Sequence, residues 1–238
     1  MKRVLVIILS AMLLILFCSS NAEEGSLATM DFRSMIRSRI IEILESWPIK
    51  DQYAVMFFIY PNECYEYNGY SNLPEFTVLY KCETDMSHNF NPLFGASGLD
   101  EERWNPAFWN YDIQQTVIGY EQANQMADAL ISWYNETGVE NIGLEDNDSI
   151  FDSNMMYIGK GPNGLAELLQ LVADISAELQ KDGYIQSRFG RQIPIIIADF
   201  EFTWYMIKAT QDANPNGEAN EYIDACLRNG WANENQIK

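Results

Sequence analysis

The sequence predicts an α+β fold: a single domain in which helices pack on a small, largely antiparallel sheet. Three observations point there. Apolar residues recur at helical spacing in several separate segments. Two aromatic runs of strand length, 52–60 and 75–83, flank a loop rich in Pro, Asn, Gly and Ser. A third apolar run, "IPIIIAD" at 193–199, reads as a buried strand set among helices.

The elements follow in chain order. From Phe32 to Trp47 the apolar residues Phe32, Met35, Ile36, Ile40, Ile43, Leu44 and Trp47 form one helical face, and Pro48 ends it. "QYAVMFFIY" is the first strand. In "EFTVLYKCE" Phe76, Val78 and Tyr80 alternate with Thr77, Leu79 and Lys81, as a second strand does. Two sequential strands joined by one loop are expected to pair antiparallel. Residues 84–119 show no clean period. A helix is expected through Ala123, Met126, Ala127, Leu130, Ile131 and Tyr134, closed by Gly138. Residues 139–162 read as an acidic loop. Leu165, Leu168, Leu169, Val172, Ile175 and Leu179 make the stripe of a further helix, with Asn163 as its N-cap and Gly183 as its stop. After the strand at 193–199 a helix is expected from about 201 to 213, ended by Asn214-Pro215. The last helix begins near Gly217 and buries Ala219, Tyr222, Ile223, Cys226 and Leu227.

The N-terminus has the layout of an export signal. Lys2 and Arg3 precede an apolar run, Val4 to Phe17, of 14 residues. Ser20 and Ala22 then supply small residues at the −3 and −1 positions of a cleavage site. The run is shorter than the roughly 20 residues of a membrane-spanning helix, and no later segment is long enough either. The expectation is a signal peptide at 1–22, a single α+β domain at 23–238 and a periplasmic or extracellular protein. The alternative is a lipoprotein anchored at Cys18, although Phe17 is a poor neighbour for lipid attachment.

Charge narrows the partners. The chain has 15 basic and 34 acidic residues, a net charge of −19. Such a surface repels nucleic acid and anionic lipid, which are held through Lys and Arg. It attracts a basic protein by long-range steering. "LEDNDSIFD" holds Glu145, Asp146, Asp148 and Asp152, with Glu140 just before it, and no basic residue lies between 135 and 159. These five acids are the expected binding residues for a basic protein partner. Tyr65, Tyr67 and Tyr70 are candidate aromatic anchors.

Catalytic and metal signatures are sparse. The domain's three cysteines, Cys64, Cys82 and Cys226, form no CxxC, and His88 is the single histidine, so no metal site is expected. No cofactor motif is present: "GKGPNG" at 159–164 lacks the P-loop order and reads as a turn and cap. "GASG" lacks the form of a nucleophile elbow. Cys64 and Cys82 flank the expected hairpin and could pair, while Cys226 falls on an apolar helix face as a buried free thiol. Asp199 and Glu201, at the end of the buried strand, are the best catalytic pair if the protein is an enzyme, since carboxylates in unlike surroundings can divide into acid and base. Asp199 is equally suited to capping the next helix.

One stretch is distinctive. "RWNPAFWNY" at 103–111 packs four aromatic residues into nine. Pro106 can open a helical turn, Phe108 and Trp109 are expected against the sheet, and Arg103 can stack on an indole or pair with a carboxylate. Arg103, Trp104, Pro106 and Trp109 resemble the Arg-Trp-x-Pro-x-x-Trp pattern of an uncharacterised bacterial domain family found among polymorphic-toxin immunity proteins. The resemblance implies a protein that neutralises a toxin by binding it, with Arg103 and Trp104 either pinning the fold or forming part of the recognition surface. The expected function is therefore a secreted or envelope protein that binds a toxin-like basic protein and occludes it. A secreted carboxylate-dependent hydrolase is the alternative, and an envelope protein of other role is the third.

Export sets the first prediction. N-terminal sequencing of the protein recovered from the envelope or medium should begin at Glu23; a lipid-modified Cys18 or an intact Met1 would refute cleavage after Ala22.

Overall fold

A computed structural model describes residues 31–62, 65–88, 95–119, 124–144, 153, 158–232 and 237. The elements are α1 (Phe32–Ser46), β1 (Gln52–Pro61), β2 (Pro74–Cys82), α2 (Leu99–Trp104), β3 (Gln115–Ile118), α3 (Asn124–Thr137), α4 (Leu165–Lys181), α5 (Tyr184–Phe189), β4 (Ile195–Ala198), α6 (Trp204–Ala213) and α7 (Asn220–Arg228). The domain is α+β, built on one four-stranded mixed sheet of order β3-β2-β1-β4. β1 pairs antiparallel with β2, and β2 with β3. β4 runs parallel to β1, with Val55 opposite Ile195 and Phe58 opposite Ala198.

Helices and loops cover both faces of the sheet. Val55, Phe57 and Ile59 of β1, Phe76 and Val78 of β2, and Ile195 and Ile197 of β4 pack under α1, α3 and α4. The alternate residues Ala54, Met56, Phe58, Leu79, Ile196 and Ala198 pack under α7 and the segment carrying Trp104 and Trp109. This two-sided burial explains why "QYAVMFFIY" is apolar throughout instead of alternating.

β4 has a neighbour on one side only. Its other edge is buried, so its backbone groups need partners there. Two side chains of α6, one turn apart, supply them. Ile197 donates its N–H to Thr210 Oγ1 (2.8 Å), and the same hydroxyl donates to the Ile197 carbonyl (2.9 Å). Ile195 donates to Asn214 Oδ1 (3.0 Å), and Asn214 Nδ2 donates to the Ile195 carbonyl (2.7 Å). Gln180 of α4 donates to both Asn214 Oδ1 and the Ile193 carbonyl at 3.0 Å. Thr210, Asn214 and Gln180 are all buried. The helix thus stands in for a fifth strand.

The structure revises several sequence expectations. α4 is capped at Gly164, whose φ of +88° and close approach to the Tyr134 ring leave no room for a side chain. Asn163 instead bonds through its backbone to Gly143 and Leu144. The helix expected from 201 starts at Trp204, with Thr203 at its N-cap position. The short elements α2, β3 and α5 lie where no period was legible, or just beyond the expected Gly183 stop. Cys82 and Cys226 carry free, buried thiols. Cys64 and the signal segment lie outside the described residues.

The edge clasp yields a stability prediction. Asn214→Leu leaves the Ile195 N–H and C=O unsatisfied in the core and should cost about 2–4 kcal/mol. Urea unfolding would measure this, with Thr210→Ser as a control that keeps its hydroxyl. A loss below about 0.5 kcal/mol in Asn214→Leu would show that the clasp is not needed.

Candidate functional site

The aromatic segment is built into the core. Lys81 projects from β2 beneath it and donates from Nζ to the carbonyls of Glu102 and Phe108. Tyr53 Oη and Trp109 Nε1 both donate to the Arg103 carbonyl, at 2.8 and 3.1 Å. Asn105 accepts the Ala107 N–H and starts the 3-10 turn Pro106–Phe108, with Pro106 at its first position. Trp104 is 2% exposed and meets Tyr53 and Tyr222 edge-on, at centroid distances of 5.6 and 5.8 Å. Trp109 is buried as expected, and Phe108 only partly so. Trp104 is therefore a core residue and offers no surface to a partner.

Arg103 makes both of its expected contacts. Its guanidinium carbon lies 3.9 Å from the Tyr53 ring centroid. Its two terminal nitrogens reach the two Glu83 oxygens at 2.8 Å each, and Nε lies 3.3 Å from Glu221. A planar cation on an aromatic face with a bidentate carboxylate is an arrangement that lysine cannot reproduce. Burial pushes the Lys81 ammonium down to about 8, opposed by nearby Glu102 and Asp85. These residues pin the middle of the chain onto β1 and β2.

The carboxyl end of β1 and β4 is different, because it faces outward. Asp199 follows β4 and is 8% exposed. Its Oδ1 accepts the Glu201 N–H at 2.8 Å. That bond closes a turn ahead of α6 and is not the helix cap expected of Asp199. Burial, with Glu201 adding to it, pushes the Asp199 carboxyl up to about 7, against the lowering effect of the Glu201 N–H. Glu201 is exposed.

Between them stands Phe200, 71% exposed, the most exposed of the large hydrophobic side chains described. Its ring meets Phe58 at 4.8 Å and Tyr60 at 5.0 Å, both edge-on. Phe58 also packs against Tyr111 at 5.3 Å. Tyr60 donates to Glu75 on β2. Burial and Glu75 raise the Tyr60 phenol above its ordinary range. Phe202 stacks on Trp231 at 4.2 Å, with the rings 17° from parallel. The result is an aromatic patch rimmed by Glu75, Asp199 and Glu201. Sequence reading singled out the two carboxylates but not Phe200, whose exposure no periodicity signals.

The remaining expected residues fall elsewhere. Glu140 is exposed on the rim of a shallow groove lined by Thr137, Asn141, Lys160, Asn163 and Glu167. Glu145, Asp146, Asp148 and Asp152 lie outside the described residues. Tyr65 is buried, which corrects its reading as an anchor; Tyr67 and Tyr70 are half-buried, and Tyr67 Oη bonds Asp128 at 2.9 Å. In "GKGPNG" the carboxylate of Glu167 accepts the Gly164 N–H at 2.7 Å, occupying the helix start with the chain's own anion. Among the described residues no group of acids, histidines and cysteines is arranged to hold a metal, and no helix is long and apolar enough to cross a membrane. Comparison with known protein families, with curated proteins and with solved structures finds no match to this chain.

Asp199 gives a pH-dependent prediction. Its folded pKa lies above the ordinary carboxylate value of 3.8. The folded state therefore binds the extra proton between pH 4 and 7, and this group's contribution to stability declines as pH rises through that window. Asp199→Asn removes the burdened charge and can still accept the Glu201 N–H. It should be more stable than the parent above pH 7, by up to about 4 kcal/mol, with the gap closing below pH 4. Chemical unfolding across pH 3.5–8 would test this, and a pH-independent difference would count against it.

Proposed function

We propose that this protein is an exported binding protein that occludes a basic partner protein, as an immunity factor occludes a toxin. The observation that carries the reading is Phe200: a large apolar ring held 71% exposed, on a carboxylate-rimmed patch of a chain with net charge −19. Aromatic anchors surrounded by polar groups supply most of the binding energy in protein interfaces. The negative field speeds encounter with a cationic surface and disfavours nucleic acid. The Arg-Trp-x-Pro-x-x-Trp resemblance supports the immunity class, and the signal-like leader supports action outside the cytoplasm. On this reading Arg103 and Trp104 hold the scaffold, and the partner meets Phe200. Glu140 and the acids at 145–152 steer. An interface of roughly 800 Å² on each partner would suffice.

A second reading rests on the elevated carboxyl of Asp199, which is half-protonated near neutral pH and could serve as a general acid in a hydrolase. Its mark would be an activity lost in Asp199→Asn with the fold retained.

The leading reading is tested by capture from the native envelope followed by mass spectrometry and titration of the captured protein. A basic protein should be recovered. Phe200→Ala should weaken its binding by about tenfold or more. Reversing Glu145, Asp146 and Asp148 to lysine should weaken capture and flatten its salt dependence; unchanged capture would remove that acidic segment from the account.

A further inference from the structure

The chemistry of the partner residue that meets Phe200 can be specified, and this step rests on the binding reading above. We propose that the Phe200 patch receives an arginine side chain of the partner, its guanidinium lying on the exposed ring with Asp199, Glu201 and Glu75 as counter-charges.

Three observations converge. The first is the ring itself. Phe200 is braced edge-on by Phe58 and Tyr60, so its orientation is fixed while most of its area stays in solvent. An aromatic face carries partial negative charge and attracts a cation placed over it.

The second is the local charge. Asp199 and Glu201 flank the ring in sequence, and Glu75 is tied to the bracing Tyr60 by a hydrogen bond. Among the described residues neither Asp199 nor Glu201 takes part in an ion pair. The charged groups acting on the Asp199 carboxyl and the Tyr60 phenol are carboxylates, Glu201 and Glu75. A cation arriving here neutralises negative charge that the fold leaves uncompensated.

The third is an internal precedent. The fold already recognises one guanidinium with the same components: Arg103 lies 3.9 Å over Tyr53 and forks onto Glu83. Phe200 and its rim present an aromatic face and carboxylates at the surface, without an arginine of the chain's own. Arginine suits this pairing better than lysine, because its planar group can stack and bond a carboxylate at once. An apolar partner side chain would cover the ring but leave the carboxylates uncompensated beneath it.

The test uses the purified protein and small probes, so that it does not depend on finding the partner. Acetyl-arginine-methylamide is titrated while ring-proton NMR shifts of Phe200 and Tyr60 are followed, beside the lysine and norleucine analogues and a methyl glucoside. The expected result is saturable shifts at these two rings with the arginine probe, reduced by added salt. Binding should be weaker with lysine and absent with norleucine and the glucoside. Phe200→Ala should weaken arginine binding by about two- to fivefold, and Phe200→Trp should retain it. Absent shifts, equal shifts with lysine or norleucine, a preference for the glucoside, or dimerisation of the protein through this face would each overturn the proposal. Envelope capture separates the two layers. Capture of a basic protein without arginine-probe binding defeats this inference alone, and probe binding without any captured protein defeats the binding function.

Discussion

The structure turns on the outer edge of β4. A parallel strand at the end of a sheet, buried on both faces, has backbone groups with no strand to bond them. Thr210 and Asn214 meet that need with two side chains spaced one helical turn apart, each satisfying both the N–H and the C=O of one residue. Few geometries of α6 allow both pairs at once, so the clasp fixes the helix against the strand. It thereby fixes the five residues between them, Asp199 to Thr203, which leave the sheet at its carboxyl end. Phe200 is exposed because the chain must turn there: one residue after the strand it can no longer point into either face, and the turn closed by Asp199 holds it outward.

A second constraint fixes the other side of the same face. The 102–109 segment has no long element of its own, and it is held by side chains reaching its carbonyls. Lys81, Tyr53 and Trp109 bond the carbonyls of residues 102, 103 and 108, and Arg103 locks the outside against Tyr53 and Glu83. This accounts for the density of aromatic and basic residues there. A short irregular stretch cannot satisfy its own backbone, so it borrows donors from the sheet below. Packed in this way it covers Met56 and Leu79 and brings Tyr111 against Phe58, which braces Phe200.

The two constraints divide the chemistry of the molecule. Where cations and aromatic rings are buried together, every component has a partner within the fold. At the Phe200 end the same components are present without the cation. That asymmetry, more than any reactive side chain, is why a binding role fits the geometry better than catalysis. Asp199 has the raised carboxyl that an acid catalyst needs, but Glu201 is its only charged companion close by, and it is exposed.

The sequence by itself determined the long elements. α1, β1, β2, α3, α4 and α6 are legible because each carries a long enough apolar period, or an unbroken apolar run, to reveal a buried face. It also disclosed the overall charge, the aromatic segment and the pair Asp199 and Glu201. Only the tertiary structure decided the rest. β3, α2 and α5 are four to six residues long, too short for a period, and exist because neighbours complete them. The parallel pairing of β4, and hence the need for Thr210 and Asn214, depends on which edge of β1 is vacant, a relation between residues 140 apart in the chain. The fates of Trp104 and Phe200 separate for the same reason. Both are aromatic residues beside acids, and only the position of the sheet buries one between Tyr53 and Tyr222 and leaves the other in water.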